Sequence, residues 1–439
     1  MSSDPDLART SVNSIGIRTV GAIFGFAFNI VLSRTMGTGG TGVVMFYLNF
    51  AALTGLIATG GMDVVGLREL SRHAEDSFRA PIILGHVASN AILSASAFSI
   101  GGFLFLWLFG GALTGSSNVG IDFTCALILF FSAFQKIFSD WLVALREFAA
   151  SQLTFYFINR VASLGLALAL IAFAGSAGAS AGPFICIYAA GLGLAVLYAL
   201  WRVFEHFSWR EIVRSLSPSL PLFRDGVSCG VQNTAFILLI LSPFVLLGAL
   251  SNTTELGLLG VSQRLVAVIL LALTAISQFA MRDFSRAFGM RDFGRLANAL
   301  TTSFRLTCAA SIALTLPLVA FAPFWVLIFG KGFAGAASVL AVLSVGTCAQ
   351  CLGMPFQAAL FATNNERAAR NVTIVSAVIG IALNALLIAS WGALGAALGT
   401  GIGLALQSVG HAAYVLRVLP VRVELAVLRV VPRLAAPEF

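Results

Sequence analysis

The chain is built from apolar runs of twenty or more residues, separated by short polar segments. A helix needs about 20 apolar residues, at 1.5 Å rise per residue, to cross roughly 30 Å of hydrocarbon. The pattern therefore predicts an all-α polytopic membrane protein with twelve transmembrane helices. They are expected near residues 12–33, 41–64, 81–109, 120–145, 152–174, 182–201, 226–250, 256–280, 300–329, 333–362, 371–391 and 393–416.

Short motifs recur at a nearly constant spacing. Arg68–Arg72 reads R-E-L-S-R, and 214 residues later Arg282–Arg286 reads R-D-F-S-R. Gly42 and Gly257, spaced by 215 residues, lie near the start of the second span of each half. We infer two six-helix halves related by pseudo-two-fold symmetry, with each R-[E/D]-x-S-R motif closing the second span of its half. Two such halves can rock about a central cleft, as in many transporters.

The repeat divides the chain into four predicted regions. They are an N-terminal six-helix lobe (1–205), a cytoplasmic inter-lobe linker (206–225), a C-terminal six-helix lobe (226–419) and a cytoplasmic tail (420–439). Both lobes contain an even number of spans. The repeat is therefore parallel, with its axis along the membrane normal.

Composition and charge fit this topology. Hydrophobic residues make up 59% of the chain and charged residues 10%, whereas soluble domains carry about 25% charged residues. The net charge of +8 does not indicate a nucleic-acid partner, because no basic cluster is interleaved with aromatic residues. With both termini in the cytoplasm, the loops on the outer side hold only Arg34 and Lys331, and most other basic residues fall inside, as the positive-inside rule requires.

Several segments resemble a known family. Val31–Gly42 (V-L-S-R-T-M-G-T-G-G-T-G) and Gly60–Arg72 (G-G-M-D-V-V-G-L-R-E-L-S-R) resemble the opening of the Wzx-like polysaccharide biosynthesis flippases of the MATE/MOP exporter superfamily. Leu327–Phe333 resembles the family's junction between the ninth and tenth helices, and Trp391–Gly401 resembles its signature between the last two. The family's lipid II branch has fourteen spans, whereas twelve are predicted here.

The resemblance implies a flippase rather than an enzyme. Such a protein moves an undecaprenyl-pyrophosphate-linked oligosaccharide, an O-antigen or exopolysaccharide repeat unit, from the inner to the outer leaflet of a bacterial inner membrane. Its two lobes form a V around a central cavity and alternate between inward and outward openings. The implied driving force is a proton gradient, a sodium gradient or the membrane potential, and no cofactor is implied. The implied partners are the lipid-linked glycan, membrane lipids, and a polysaccharide polymerase with its assembly proteins.

Polar side chains recur at helical spacing within the predicted spans. A charge at the bilayer centre costs about 2.5–3.5 kcal/mol on insertion scales, so buried cations indicate a polar interior surface. We expect these side chains to line a wet central cavity between the lobes. The predicted lining residues are Arg18, Asn29, Gln135, Lys136, Asn159, Arg160, Gln232, Asn233, Gln263 and Arg264.

The positive sign of this lining predicts an anionic ligand. Arginine forks match phosphate oxygens, while Gln and Asn match sugar hydroxyls, so a pyrophosphate-linked glycan fits. The alternative is that the cations pair with Asp140 or with helix carbonyls and fix helix packing. An organic-cation exporter of the same superfamily would require an acidic cavity, and a lipid II-type flippase is a further alternative. A polysaccharide polymerase or ligase would need a large external loop with acid/base residues. The predicted outer loops are short, which argues against such an enzyme.

Two carboxylates are candidates for ion coupling. Asp140 lies four residues after Lys136, a spacing that favours an ion pair on one helix face. A buried carboxylate without a partner instead tends to bind a proton, so Asp140 is also a possible coupling site. Asp63, near the predicted end of the second span, is either an interfacial helix cap or a second coupling residue.

Overall fold

The computed structural model describes residues 5–73, 79–115, 118–175 and 180–419, and the predicted tail at 420–439 lies outside these ranges. A π-helical turn at Leu153–Phe157 joins two of the helices into one continuous span. The α-helices, in chain order, are α1 (Pro5–Ala58), α2 (Met62–His73), α3 (Arg79–Thr114), α4 (Val119–Ala144), α5 (Phe148–Gln152), α6 (Ile158–Ala174), α7 (Ala181–His206), α8 (Trp209–Arg214), α9 (Leu220–Leu250), α10 (Thr253–Gly289), α11 (Phe293–Ala320), α12 (Ala322–Leu327), α13 (Ala336–Ala362) and α14 (Glu366–Val418).

Glycine breaks divide two of the ten long helical segments, which gives twelve spans. Ten segments of the described chain are long and apolar enough to cross a membrane. Gly37 breaks α1 with a φ of 65°, and Gly392 breaks α14 with a φ of 52°. This left-handed backbone is readily adopted only by glycine. Each break reverses the chain within a residue, so the prediction of an all-α, twelve-span protein is confirmed. Both breaks lie at the end of the bundle that the charge distribution predicts to be the outer end.

The break at Gly392 is held by a carboxylate from another span. Glu255, in the first turn of α10, accepts a hydrogen bond from the Ala393 backbone N–H at 2.8 Å. That N–H opens the helical segment after Gly392, where the partial positive charge of a helix N-terminus favours an anion. A Cβ atom on Gly392 would lie 2.8 Å from the Glu255 carboxylate. A side chain at this position would thus displace the Glu255 carboxylate, and the positive φ already favours glycine.

The predicted end of the second span is wrong. We expected this span to continue to residue 64, but α1 ends at Ala58 and α2 begins at Met62. Between them, Gly60 and Gly61 adopt φ values of 57° and 75°, which turn the chain sharply. The first R-[E/D]-x-S-R motif consequently lies on the separate helix α2, whereas the second lies within the uninterrupted α10. The two halves therefore differ at the inner end.

The first copy of the motif is held together by ion pairs. Glu69 accepts from Arg68 at 2.9 Å and from Arg72 at 3.3 Å. Arg68 also lies 3.3 Å from Asp225 at the start of α9. All of these contacts lie at the predicted inner end, where they tie α2 to the C-terminal half.

The predicted ninth span is too long at its C-terminal end. We expected a helix to residue 329, but α11 ends at Ala320 and the short helix α12 follows. Pro323 lies in the first turn of α12, where the missing N–H of proline has no cost. The Trp325 indole N–H donates to the Pro317 carbonyl at 3.1 Å, which ties the short helix back to α11.

The inter-lobe linker is shorter than predicted. α7 continues to His206 and α9 begins at Leu220 rather than near residue 226, with α8 between them. The segment after α8 packs on α3. Asn90 donates to the Ser219 carbonyl at 2.9 Å and accepts from the Ser219 N–H at 3.1 Å. The His86 ring also contacts the Ser217 carbonyl at 2.8 Å. The start of the C-terminal half is thereby attached to the N-terminal half.

The two halves are in backbone contact at the predicted outer end. A Cβ atom on Gly42 would lie 1.7 Å from the Thr253 carbonyl oxygen, and one on Gly257 would lie 2.3 Å from the Thr38 carbonyl oxygen. These two glycines are the repeat-related pair found in the sequence, and here they pack against each other. The pseudo-two-fold axis therefore passes close to this crossing of α1 and α10.

Side chains strengthen the contact between the halves at this end. The buried Ser33 hydroxyl donates to the Phe329 carbonyl at 3.0 Å. The adjacent Arg34 donates from Nε to the Ile328 carbonyl, also at 3.0 Å. Phe26 packs edge-to-face on Phe329, with ring centroids 5.2 Å apart. The first half of α1 is thus fixed to the segment after α12 at the predicted outer end.

Candidate functional site

Three half-buried arginines from both halves of the chain form the core of the candidate site. Arg18 comes from the first half of α1, Arg160 from α6 and Arg264 from α10. We call this set the arginine cluster. Arg160 lies near the middle of the continuous span Phe148–Phe173, while Arg18 and Arg264 lie closer to the ends of their predicted spans, 12–33 and 256–280. Solvent still reaches all three partly, as expected for side chains beside an internal polar space.

A tyrosine lies between two of these arginines. The Arg18 guanidinium carbon is 5.1 Å from the centre of the Tyr156 ring, and that of Arg160 is 5.5 Å away. Both distances fall within the range of cation–π attraction. Arg18 is fixed further by a hydrogen bond from its Nε to Gln152 Oε1 at 2.5 Å. The ring and the amide therefore hold two positive charges near each other without a carboxylate.

The local backbone explains this arrangement. Tyr156 lies in the π-helical turn, and such turns are frequent at functional sites. Gln135 on α4 donates to the Thr154 carbonyl of this turn at 2.7 Å. On the other side, glycines in α1 permit close packing. A Cβ atom on Gly21 would lie 2.1 Å from the Tyr156 carbonyl oxygen, and one on Gly25 would lie 2.9 Å from Arg160 Cδ.

Arg264 brings a third positive charge from the opposite lobe. It lies close enough to Arg160 for the two like charges to repel each other, and it also lies near Tyr188. In the described part of the chain, no carboxylate forms an ion pair with Arg18, Arg160 or Arg264. The cluster thus carries three uncompensated charges at a junction of the lobes. Such a concentration of charge attracts anions.

Lys136 belongs to a different group. Its ammonium nitrogen lies 2.5 Å from Asp140 and 3.9 Å from Asp63. Asp63 also accepts from the Thr59 hydroxyl at 3.2 Å. We call this set the Asp63–Lys136–Asp140 triad. With two carboxylates and one ammonium, its formal net charge is −1 when all three groups are ionised. Lys136 is therefore locally compensated, unlike the arginines.

Three of the predicted lining residues are packed inside the N-terminal half. Asn29, Gln135 and Asn159 are only 5–7% exposed. Asn29 donates to the Gly25 carbonyl at 2.6 Å, and Asn159 accepts from the Ser163 hydroxyl at 3.0 Å. Together with the bond from Gln135 to the π turn, these contacts support the helices that carry the arginines. Their placement indicates a positioning role.

The predicted lining residues of the C-terminal half lie on α9 and α10. Gln263, next to Arg264, donates to the Ile240 carbonyl at 3.1 Å and so connects α10 to α9. Gln232 is half-buried, and Asn233 is exposed. Asn233 and Asp63 both line a cavity of about 480 Å³ between the halves. The structure thus separates the predicted site into the arginine cluster, the triad and this cavity.

Three residues around the arginine cluster were not among the predicted site residues. Gln152 and Tyr156 precede Arg160 at spacings of eight and four residues, and thus share its helix face. That spacing was a usable signal for both. The π turn, which sets the direction of the Tyr156 side chain, has no comparable signal in the sequence. Tyr188, on α7, lies near Arg264, and periodicity cannot indicate such a long-range proximity.

Comparisons with known proteins identify the family. The family model of polysaccharide biosynthesis proteins matches residues 8–281, and that of the lipid II flippase MurJ matches residues 261–429. Over 88 residues the chain is 34% identical to a probable low-salt glycan biosynthesis flippase of Haloferax volcanii. That match covers 20% of this chain and 19% of the relative, so it spans only about a fifth of either protein.

Solved structures show the same fold. An inward-closed lipid II flippase MurJ has a TM-score of 0.73 at 14% identity, with 93% of this chain and 87% of that chain covered. An inward-facing MATE multidrug resistance transporter has a TM-score of 0.72 at 15% identity, with 92% and 96% covered. Because the polysaccharide biosynthesis model matches well over half of its length, this multi-pass membrane chain belongs to the polysaccharide biosynthesis protein family.

Proposed function

We propose that the protein flips an undecaprenyl-pyrophosphate-linked oligosaccharide from the inner to the outer leaflet of a bacterial inner membrane. The observation that carries the proposal is the arginine cluster. It joins three arginines from both lobes, with no carboxylate paired to them in the described chain. A pyrophosphate group offers several anionic oxygens to such a cluster. Transport by this route involves no covalent chemistry.

The geometry gives the anion a mechanical role. Arg160 and Arg264 belong to opposite lobes and repel each other when the site is empty. A pyrophosphate between them replaces this repulsion with charge-assisted hydrogen bonds, which arginine forks form with phosphate oxygens in a bidentate way. Binding of the head group would thus draw the lobes together around it. The exposed Asn233 and the neighbouring Gln232 are suited to sugar hydroxyls.

Alternating access requires one closed end at a time. The backbone contact between Gly42 and Gly257, with the Ser33–Phe329 hydrogen bond, closes the predicted outer end in this state. Rocking of the lobes would separate these contacts and release the lipid-linked glycan on the outer side. There a polysaccharide polymerase and its assembly proteins would receive it. In this orientation both termini lie in the cytoplasm.

The arginine cluster does not suit the alternative of an organic-cation exporter. Such a transporter needs a negative surface free to receive its substrate. The carboxylates of the triad, Asp63 and Asp140, share Lys136, so the triad carries a net charge of only −1, against three positive charges in the arginine cluster. A lipid II-type flippase would bind its substrate through the same pyrophosphate group. Its substrate differs in the glycan, which extends beyond the arginines.

The Asp63–Lys136–Asp140 triad is our proposed site of ion coupling. Its formal charge of −1 can be neutralised by one proton or one sodium ion. Asp63 lies on α2 beside the inter-lobe cavity, while Lys136 and Asp140 lie on α4. Neutralisation would weaken the attraction of Lys136 for one of the two carboxylates. The triad would thereby link the ion to the relative position of α2 and α4.

Replacing Asp63 or Asp140 with asparagine should remove gradient-driven transport, because the triad then has no net charge left to bind the ion. The measurement is flipping in reconstituted vesicles under an imposed proton gradient, sodium gradient or membrane potential, each applied separately. Asp122→Asn is the matched control, since Asp122 is also buried on α4 but is hydrogen-bonded to Tyr47 at 3.0 Å. An undiminished response to the gradient in both triad variants would refute this coupling site.

The proposed function itself is tested by reconstitution. Vesicles containing the purified full-length protein would be loaded in both leaflets with a fluorescent undecaprenyl-pyrophosphate oligosaccharide. Enzymatic modification of the sugar from outside then reports how much lipid reaches the outer leaflet. Protein-dependent exposure of the glycan is the expected result. Uptake of an organic cation without any movement of the glycan lipid would instead identify an exporter.

A further inference from the structure

The cavity beside Asn233 has the chemistry of a lipid-tail site. It occupies about 480 Å³ between the second half of α1, α3, α9 and α14. Ligand pockets commonly have volumes of about 300–1,000 Å³. Most of its lining is aliphatic or aromatic, with Leu56, Phe98, Val231, Leu238, Val378 and Ile381 as the main apolar contributors. We call this space the α9–α14 groove.

The groove can be reached from the membrane. Val378 on α14 is 63% exposed and Val64 on α2 is 42% exposed, although both line the groove. In a membrane-spanning chain, such apolar side chains face lipid. The groove includes residues of the first half of α9, which starts at the predicted inner end. It therefore opens toward the leaflet from which the proposed substrate starts.

The groove and the Gln263–Arg264 pair lie at a similar position along α9. Leu238 lines the groove, and Ile240, two residues further along α9, accepts the hydrogen bond from Gln263. Gln263 is the neighbour of Arg264. At 1.5 Å rise per residue, the groove and the Gln263 contact are separated by about 3 Å along α9. An amphiphile can therefore place an anionic head at the arginines and a tail in the groove.

The internal repeat relates the apolar crevice between α9 and α14 to a cationic crevice between α1 and α6. At the 215-residue spacing, Arg18 corresponds to Asn233 and Arg160 corresponds to Val375. The crevice between α1 and α6 is thus cationic. Its counterpart between α9 and α14 has lost both arginines, and the neighbouring side chains Ile374 and Val378 line the groove. The N-terminal crevice is cationic and its C-terminal counterpart is apolar. These properties match the anionic head and the apolar chain of a lipid diphosphate.

We propose that the α9–α14 groove holds the isoprenoid tail of the lipid-linked substrate while the arginine cluster holds its pyrophosphate. The inference rests on the proposed function. It assigns the N-terminal crevice to the head group and the C-terminal crevice to the chain. Asn233 and Thr59, with Asp63 of the triad, also line the groove and form its polar part toward the predicted inner end.

Photo-crosslinking tests the assignment. The probe is a polyprenyl diphosphate with a photoactivatable group in its chain and no glycan, added to the reconstituted full-length protein. Peptide mass spectrometry should find the label on α9 and α14, and Val378→Trp should reduce it severalfold by filling the groove. The matched control is Ile379→Trp, because Ile379 is the next residue, is 41% exposed and does not line the groove. Both positions are exposed, so both variants should keep the wild-type melting temperature.

A second probe separates the tail from ordinary lipid. Phosphatidylglycerol with the same photoactivatable group should label the groove much less than the polyprenyl probe does. Equal labelling by both probes, or polyprenyl labelling that Val378→Trp leaves unchanged, would overturn the assignment. If the reconstituted protein flips the glycan lipid but the probe labels other helices, the assignment of the tail to the groove is wrong and the proposed function stands. If no flipping occurs, the proposed function itself fails.

Discussion

Replacing Arg160 or Arg264 with alanine is expected to slow flipping of the lipid-linked oligosaccharide by about 10- to 100-fold. A hydrogen bond to a charged group contributes about 1.5–3 kcal/mol, and about 1.4 kcal/mol corresponds to a tenfold change in rate. Both guanidinium groups lack an ion-pair partner in the described chain, so the pyrophosphate would be their main source of compensation. The measurement is the initial rate of glycan exposure in vesicles at equal protein content.

Stability distinguishes a binding role from a packing role. Arg264 lies near the like charge of Arg160 and has no ion-pair partner in the described chain, so Arg264→Ala should leave the melting temperature of the empty protein unchanged or higher. A packing role predicts a lower melting temperature instead. Arg160→Lys keeps the charge but loses the planar fork, and its flipping rate should be intermediate. Arg295→Ala, at an exposed position on α11, is the control. Wild-type flipping in the Arg18, Arg160 and Arg264 alanine variants would refute the cluster as the head-group site.

Gly42→Ala is expected to open the outer end of the molecule. The added Cβ would lie 1.7 Å from the Thr253 carbonyl oxygen, which is far inside van der Waals contact. Because that oxygen belongs to the backbone, α1 and α10 must move apart. Inserting atoms into a packed contact costs about 1–3 kcal/mol, which shifts a two-state equilibrium by roughly 5- to 150-fold. Flipping should slow accordingly, because the closed-outside state is depopulated.

A thiol at a buried contact reports this opening. Ser33 is 1% exposed and bonded to the Phe329 carbonyl, so Ser33→Cys in a background without the native cysteines should resist a membrane-impermeant maleimide. Gly42→Ala should make that thiol reactive. Gly39→Ala is the matched control on the same helix, since its Cβ would lie 3.5 Å from the Thr253 hydroxyl. Protection of the thiol in both glycine variants would mean that this crossing does not close the outer end.

The number and positions of the spans were predictable because each helix needs about 20 consecutive apolar residues to cross the hydrocarbon layer. All twelve spans follow from apolar run length, and the repeat predicted the Gly42–Gly257 relationship that the structure realises as a contact. The misplaced end of the second span had a local signal. The pair Gly60–Gly61 is a strong turn signal, which the apolar run around it masked.

The division of the site was beyond the sequence because it depends on long-range packing. Lys136 and Asp140 are four residues apart, and their pairing follows from helix geometry. Asp63 joins them only because α2 packs on α4, and nothing in the sequence brings these residues together. Likewise, the π turn at Tyr156 accepts a hydrogen bond from Gln135 on another helix. The polar stripes located the helices of the site, and tertiary contacts decided which side chains work together.

Binding to the purified wild-type protein in lipid nanodiscs tests the central claim most directly. Three ligands would be titrated under identical conditions: polyprenyl diphosphate, the uncharged polyprenol with the same chain, and tetraphenylphosphonium as an organic cation. An arginine cluster predicts saturable binding of the diphosphate that weakens as salt is raised, weak binding of the polyprenol, and no binding of the cation. Saturable binding of tetraphenylphosphonium, with no binding of the diphosphate, would contradict the account.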